Sequence, residues 1–195
     1  MLKTPRIGLV EEPKLKGLIS KFNRETLSLK IAFLATKNRK SSGSAANIVK
    51  TLFNHPDLAT RWFLFARHIL AKNTLIPRDR EILILRVGWL CKAEYEWAHH
   101  TKIAMHEGLL TSDEIEHIKV GAEAPGWSDY EANLLRAVDQ LLQDSMIGDS
   151  TWEALSNKLN TKQMMDLVFT VGQYNMVSMA LNSFGVQLED GFSGF

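Results

Sequence analysis

The chain has 195 residues and a mass of 22.0 kDa, a size that favours one domain around a single hydrophobic core. Hydrophobic residues make up 45% and charged residues 23% of the chain, which excludes a disordered or fibrous protein. The 23 lysines and arginines nearly balance the 22 aspartates and glutamates, so the formal net charge is +1. The chain therefore lacks the excess of basic residues that would indicate a nucleic-acid partner or binding to an anionic membrane surface.

The cysteine content and the apolar stretches exclude further classes of protein. One cysteine, Cys91, excludes an intramolecular disulfide and a zinc site built from several thiolates. The most apolar stretch, Ile82 to Cys91, contains Arg86 and is far shorter than the roughly 18 residues that span a bilayer. Pro5 and Arg6 stand where a secretory signal needs an uninterrupted apolar core. We therefore expect a cytoplasmic protein with no membrane partner.

The chain divides into an N-terminal extension and a helical domain. Residues 1–44 are predicted to be irregular or partly helical, since prolines and glycines interrupt them. Within them, Leu18 to Ala35 carries enough apolar residues for one or two helices, and Lys37 to Ser44 is polar. Residues 45–190 are predicted to form one domain, because no repeat or low-complexity tract divides them.

Signals that begin a helix recur along this domain. Pro56 and Pro77 suit the first turn of a helix, where the missing N–H of proline costs nothing. Thr111 and Ser128, each with a glutamate three residues later, have the form of capping boxes. The predicted helices are Ala45 to Asn54, one from Pro56 to about Leu70, one from Pro77 to about Leu90, Ala93 to Glu107, Thr111 to Gly121, Ser128 to Ser145, Asp149 to Leu159 and Thr161 to Phe184. Strand patterns are sparse, so the predicted fold class is all-α, a single-domain helical bundle.

Two of these helices carry contrasting apolar patterns. In the helix that begins at Pro77, apolar residues occur nearly all round, which predicts a central and buried helix. In the helix that begins at Pro56, apolar residues recur every three to four positions and form one apolar face. The residues of that face are Leu58, Trp62, Phe65, Ile69 and Leu70.

Ionisable and aromatic side chains concentrate between Glu81 and His100. Glu96 and His100 are four residues apart, so they lie on the same face of a helix, whereas His99 points about a quarter-turn away. A carboxylate beside an imidazole orients the ring and favours its protonated form, and a buried pair can act as an acid–base couple. The spacing alone is equally consistent with a surface pair or a structural pair.

Several separated segments resemble, in order, the carboxymuconolactone decarboxylase family, which also includes the alkylhydroperoxidase D proteins. The resemblance covers about Asn54 to Gly185. The segments that carry it are LIPRDREIL (Leu75 to Leu83), EYEWAHH (Glu94 to His100), Glu107-Gly108-Leu109, Trp127, LLRAVDQL (Leu134 to Leu141) and VGQYNM (Val171 to Met176). The resemblance implies a bundle of the alkylhydroperoxidase D type that assembles as a trimer, a hexamer or a dimer.

The peroxidase branch of the family has a C-x-x-C-x-x-x-H motif with a glutamate twelve residues before the first cysteine. When its histidine is placed on His100, the glutamate falls on Glu81, but the two cysteine positions fall on Ala93 and Glu96. Reduction of a hydroperoxide by this route needs a second thiol to resolve the sulfenic acid. One alternative is therefore a peroxiredoxin-like protein that uses Cys91 with an external thiol. The competing interpretation is that Cys91 is a small buried hydrophobic residue without a redox role.

The match at Glu81, Glu96 and His100 instead resembles the decarboxylase side of the family. That side implies a lyase without a cofactor, which releases carbon dioxide from a small carboxylated lactone or a related ring. His100, oriented by Glu96, is predicted to donate the proton or to stabilise the oxyanion. Glu81 is predicted to support His100 or to relay the proton.

Four neighbouring side chains are predicted to bind the substrate. Arg86 and His99 are candidates for holding a carboxylate, although Arg86 is equally compatible with a structural role. Tyr95 and Trp97 are candidates for the walls of the pocket, although aromatic residues beside such a helix are often part of the core.

A third interpretation is a helical oligomer without enzymatic activity. Its Glu81, Glu96 and His100 would then form a structural cluster or bind a metal, since they offer oxygen and nitrogen ligands. Assembly is predicted under every interpretation, because Met164 to Leu181 is more apolar than one helix face requires. The alternative is that this helix forms the core of a monomer.

Overall fold

The computed structural model describes residues 3–23 and 46–195 of the chain. These residues form helices and loops without a β-strand, which confirms the all-α class. The stretch Lys37 to Ser44 and most of Leu18 to Ala35 lie outside the described residues, so the boundary between residues 44 and 45 stays a prediction.

The helices of the described residues follow the predicted order closely. They are α1 (Glu12–Asn23), α2 (Asn47–Leu52), α3 (Pro56–Arg67), a π-helix (His68–Lys72), α4 (Pro77–Leu90), α5 (Glu94–His106), α6 (Ser112–Val120), α7 (Asp129–Asp144), α8 (Asp149–Ser156) and α9 (Thr161–Phe184).

The predicted start signals lie where these helices begin. Pro56 and Pro77 occupy the first turns of α3 and α4. Thr111 and Ser128 cap α6 and α7, and in both capping boxes the glutamate side chain returns to the N–H of the capping residue. Asn160 forms a third capping box at the start of α9, which the sequence analysis did not anticipate.

The core is built around α4, which packs against α5, α7 and α9. The side chains of Ile82 to Leu85 and of Val87 have no exposed area, so the prediction of a central, buried helix is confirmed. The beginnings of α4 and α9 lie together, because the N–H and hydroxyl of Thr74 both donate to Asp166. Near the other end, Cys91 contacts Asn175. The two helices therefore run in the same direction, and both contact α5.

Only part of the apolar face predicted for the helix that begins at Pro56 packs inside the chain, since Trp62 packs against a core cluster while other members are exposed. Leu58 and Leu70 are about half exposed, and Phe65 is more than one-third exposed. The small residues Ala59 and Ala66 are buried instead, because they let α3 approach its neighbours closely. Of the predicted face, Ile69 is fully buried, and it lies in the π-helix that interrupts the predicted helix.

The described part of the N-terminal region packs onto the helical domain. Val10 and Leu15 form a small apolar cluster with Val49, Phe53 and Ala59. Backbone hydrogen bonds join the same region to the domain, among them Arg6 N–H to the Phe184 carbonyl oxygen at 2.7 Å. Within residues 3–23 and 46–195, no helix combines the length and the apolar character that a bilayer span requires.

Candidate active site

Glu81, Glu96 and His100 meet in the core, and we refer to them as the acid–histidine triad. His100 Nδ1 donates a hydrogen bond to Glu81 Oε2 at 2.6 Å, and His100 Nε2 lies 2.9 Å from Glu96 Oε1. All three residues are buried, with 1% of Glu81 and 6% of each of the other two exposed. The imidazole therefore bridges two carboxylates that come from different helices.

The triad stabilises a protonated imidazole. Burial alone lowers the pKa of His100, but the charges and hydrogen bonds of Glu81 and Glu96 outweigh it and raise the pKa to about 9. A ring that carries both N–H groups can donate on both sides, which a neutral tautomer cannot do. His100 therefore carries a proton at neutral pH that it can donate.

The positions of the three side chains follow from the two helices that carry them. Glu81 lies in the second turn of α4, and Ala93, which is fully buried, stands at the start of α5 where the chain reverses. The four-residue spacing then places Glu96 and His100 on the face of α5 that meets α4. Tyr174 of α9 completes the surroundings, with its ring edge-on to the imidazole at 5.1 Å.

One cationic side chain contacts the triad. Arg80 Nη2 lies 3.6 Å from Glu81 Oε1, and 15% of the Arg80 side chain is exposed. Its Nε is buried and has no hydrogen-bond partner among the residues that the structure describes. Arg80 therefore offsets part of the charge of Glu81.

Arg86 lies away from the triad and has protein partners on all sides. It forms a two-pronged pair with Asp139 of α7, at 2.7 and 3.0 Å. Its Nη1 donates to the carbonyl oxygens of Ile118 and Lys119 at the end of α6. These contacts favour the structural role, and the predicted role of Arg86 in substrate binding stays a prediction.

His99 and Tyr95 gather around Glu189 rather than around the triad. The Tyr95 hydroxyl donates to Glu189 Oε1 at 2.6 Å, and His99 Nε2 lies 2.9 Å from Glu189 Oε2. Burial raises the pKa of Glu189, but its pairing with His99, Asn47 and Tyr95 lowers it to about 2. These contacts fix segment 187–195 against α5, and the predicted substrate-binding roles of Tyr95 and His99 stay predictions.

Trp97 and Cys91 also lie apart from the imidazole of His100. Trp97 is 4% exposed and packs against the rings of Trp89 and Phe195. The Cys91 thiol donates to Asn175 Oδ1 at 3.4 Å, and burial raises the pKa of this thiol. A raised pKa reduces the thiolate fraction on which cysteine reactivity depends.

Comparison with known proteins gives a family match over part of the chain. The family model "Carboxymuconolactone decarboxylase family" matches residues 56–140, a range that contains the complete acid–histidine triad. Residues 56–140 are therefore similar to that family. No curated protein sequence matches the chain significantly.

Solved structures share the fold of this protein at low sequence identity. An alkylhydroperoxidase D core protein from Ralstonia eutropha, described as peroxidase-related, aligns over 97% of this chain and 95% of its own, with a TM-score of 0.76 and 16% identity. A peroxidase-related protein from Silicibacter aligns over 98% and 92%, with a TM-score of 0.69 and 14% identity. The debrominase Bmp8, as a cysteine-to-alanine variant with 2,3,4-tribromopyrrole, aligns over 96% and 94%, with a TM-score of 0.72 and 12% identity.

The sequence analysis did not identify all the residues around the acid–histidine triad. Arg80 stands next to Glu81 in the family-like segment LIPRDREIL, so its position could have indicated a role at the site. Tyr174 likewise stands in the family-like segment VGQYNM. Glu189 had no local signal, because it meets Tyr95 on α5 across 94 residues of chain. Among the described residues, no group of three or more His, Cys, Asp or Glu side chains is arranged to hold a metal ion.

Proposed function

We propose that this protein is a lyase that needs no cofactor and removes carbon dioxide from a small carboxylated lactone or a related ring. The observation that supports the proposal is the buried imidazole of His100 between two carboxylates. Decarboxylation beside an unsaturated carbonyl needs a group that returns a proton to carbon, and an imidazole that is protonated at neutral pH supplies one.

The proposed reaction has two steps. The bond between the ring carbon and the substrate carboxylate breaks, carbon dioxide leaves, and the electron pair moves onto the lactone carbonyl oxygen as a dienolate. The protonated imidazole of His100 then gives a proton to carbon, which re-forms the lactone carbonyl and leaves a neutral ring. A proton from solvent returns to His100 and restores the starting state. Glu81 is the most buried member, so it holds the imidazole through Nδ1, while Nε2 and Glu96 form the end from which the proton leaves.

We propose that Arg80 holds a substrate carboxylate. Its guanidinium is next to the triad and makes one long contact with Glu81, whereas Arg86 is engaged by Asp139 and by two carbonyl oxygens. A guanidinium matches the planar geometry of a carboxylate, which favours arginine for this role.

A screen of carboxylated butenolides, including 4-carboxymuconolactone, for release of carbon dioxide tests the proposed function. We expect activity in the unmodified protein, and a loss of about 100-fold or more in His100→Gln, because a positioned acid–base group contributes about 100- to 10,000-fold. Glu116→Gln is the matched control, because this glutamate is 64% exposed and pairs with Lys119. Absence of carbon dioxide release from every compound would contradict the lyase proposal.

The principal alternative is a hydroperoxide-reducing protein that uses Cys91 with an external thiol. Two of the similar folds are described as peroxidase-related, but the raised pKa of the Cys91 thiol opposes this alternative. We expect Cys91→Ala to leave carbon dioxide release unchanged, and the protein to show no thiol-dependent consumption of hydrogen peroxide. Consumption of peroxide that disappears in Cys91→Ala would establish the alternative instead.

The other alternative is a structural or metal-binding role for the triad in a helical oligomer without enzymatic activity. Both imidazole nitrogens of His100 contact carboxylates, which leaves neither of them directed at a metal ion. Elemental analysis of protein purified without added metal tests this alternative, and a stoichiometric metal that is lost in His100→Gln would support it.

We also propose that the chain assembles with copies of itself through the outer face of α9. Met165, Phe169, Met176 and Met179 are each about half exposed along this helix. Exposed apolar side chains in such a row are typical of protein interfaces.

A further inference from the structure

A groove lies on the face of α5 that is turned away from the acid–histidine triad. It has a volume of about 460 Å³, within the range of small-molecule sites. One wall is α5, from Trp97 to His106, and the other is the segment from Gly191 to Gly194. Glu96 and His100 project from the same helix toward α4, so the groove and the triad are separate places.

The wall formed by residues 191–194 is held on both sides. Before it, Glu189 accepts hydrogen bonds from the Tyr95 hydroxyl and from the Asn47 N–H, both at 2.6 Å. After it, the Phe195 ring packs edge-on against Trp89 at 5.2 Å. Gly194 lies so close to Glu94 that a Cβ there would overlap the carboxylate. The groove is therefore formed before any ligand binds, which lowers the entropic cost of binding.

The chemistry of the lining favours an aromatic anion. The lining includes the rings of Trp97, which is 4% exposed, and Phe192, which stacks on His99 at 4.2 Å. Met105 adds a thioether, which packs well against a planar ring. The ionisable side chains of the lining are Lys102 and His106, which lie four residues apart on one helix face. Lys102 Nζ lies 4.1 Å from the centre of the Phe192 ring, so a cation stands beside an aromatic surface. The Glu94 carboxylate lies against Gly194 of the groove wall, at the beginning of α5, whereas Lys102 and His106 lie toward the end of this helix.

We infer that this groove is a second binding site, which takes an aromatic monocarboxylate. The ring of the ligand lies in the groove against Met105 and the edges of Trp97 and Phe192, and its carboxylate lies at Lys102, toward the end of α5 that carries His106. Neither contact uses a member of the triad, so the inference does not depend on the proposed lyase function.

Calorimetric titration with 1-naphthoate, and with the neutral 1-naphthamide for comparison, tests the site. We expect naphthoate to bind the full chain, and Lys102→Met to weaken it at least about fivefold, because a charge-assisted contact is lost. Naphthamide binding should change little in this variant. Lys158→Met is the matched control, because Lys158 also lies over an aromatic ring, that of Tyr130 at 5.8 Å, on another surface.

Three outcomes would overturn the inference. The first is the absence of naphthoate binding to the unmodified protein at millimolar concentration. The second is equal weakening by Lys102→Met and Lys158→Met, which would indicate attraction to the overall charge. The third is a loss of naphthoate binding in His100→Gln equal to that in Lys102→Met, which would place the ligand at the triad. Carbon dioxide release is measured separately, so failure here leaves the lyase proposal standing.

Discussion

At the scale of single residues, the protonation of His100 connects the geometry of the triad with its chemistry. Burial and charge pairing act on this ring in opposite directions, and the two carboxylates determine the result. Substitution of either glutamate by glutamine replaces the charged carboxylate with a neutral amide of nearly the same shape. The contribution of each partner to the pKa of His100 can therefore be measured directly.

We expect Glu81→Gln to lower the pKa of His100 from about 9 by about one unit or more, because this change removes the negative charge that faces Nδ1. Proton–carbon NMR of the histidine Cε1 groups across pH measures it, with His100→Gln to assign the resonance. Glu116→Gln, which changes an exposed carboxylate, should leave the pKa near 9. An unchanged value in Glu81→Gln would show that the carboxylate does not hold the proton on the ring.

The same pKa shift predicts how the stability of the fold changes with pH. Folding raises the pKa of His100 above its ordinary value of 6.5, so the folded state keeps a proton that the unfolded chain releases. The stabilisation is complete below about pH 6.5 and is lost as the pH rises through about 9. We expect a loss of about 3 kcal/mol in the free energy of unfolding over this interval, before other groups are counted.

Urea unfolding at pH 6.5 and at pH 9 measures this loss. In Glu81→Gln the loss over the same interval should be smaller, because its folded-state pKa is closer to the unfolded value. A protein that is equally stable at both pH values, or more stable at pH 9, would contradict the assignment of a raised pKa to His100.

At the scale of helices and their connections, Arg86 joins the end of α6 to α4 and α7, and Gly121 makes room for it. Gly121 has a φ of +103°, in the region that favours glycine, and directly follows α6. A Cβ at this position would lie 2.6 Å from Arg86 Nη2. The guanidinium cannot move aside cheaply, because Asp139 and two carbonyl oxygens hold it.

We therefore expect Gly121→Ala to destabilise the fold by about 3 kcal/mol or more, from backbone strain and overlap with Arg86 together. Gly126→Ala is the comparison, because Gly126 also has a positive φ, of +88°, but has open space around it. That variant should cost about 1–2 kcal/mol, from backbone strain alone. Equal losses of stability in the two variants, measured by thermal or urea unfolding, would show that overlap with Arg86 does not contribute to the effect.

The helices were predictable from the sequence where local chemistry determines them. Pro77 and the Ser128–Glu131 capping box begin helices through contacts within a few residues, so their spacing alone located α4 and α7. The π-helix at His68–Lys72 had no such signal and was predicted as ordinary helix. It depends on tertiary contacts, among them His68 Nε2 to Asp166 at 2.7 Å across 98 residues.

The candidate site was predictable in part for the same reason. Glu96 and His100 share a helix face, so their pairing followed from a four-residue spacing. Glu81 came from the resemblance to the family and not from spacing, because it lies on another helix. The direction of the Arg86 side chain could not be read locally, since its partner Asp139 is 53 residues away.

At the scale of the whole molecule, the exposed apolar side chains are not scattered evenly. Met165, Phe169, Met176 and Met179, which we call the α9 stripe, follow intervals of four, seven and three residues, the spacing of a helical packing seam. The stripe continues onto α3, because the rings of Phe65 and Phe169 meet edge-on at 6.0 Å. The exposed ring of Phe65 on α3 is therefore part of the same surface.

We expect this surface to join copies of the chain, so that light scattering gives a multiple of the 22.0 kDa chain mass. Phe169→Glu should shift the protein toward 22 kDa, because it places a charge in the middle of the buried contact, where an unpaired charge is costly. Met146→Glu is the control, because Met146 is equally apolar and 66% exposed but lies between α7 and α8, away from the stripe. A monomeric unmodified protein, or loss of assembly in both variants alike, would contradict an interface built on α9.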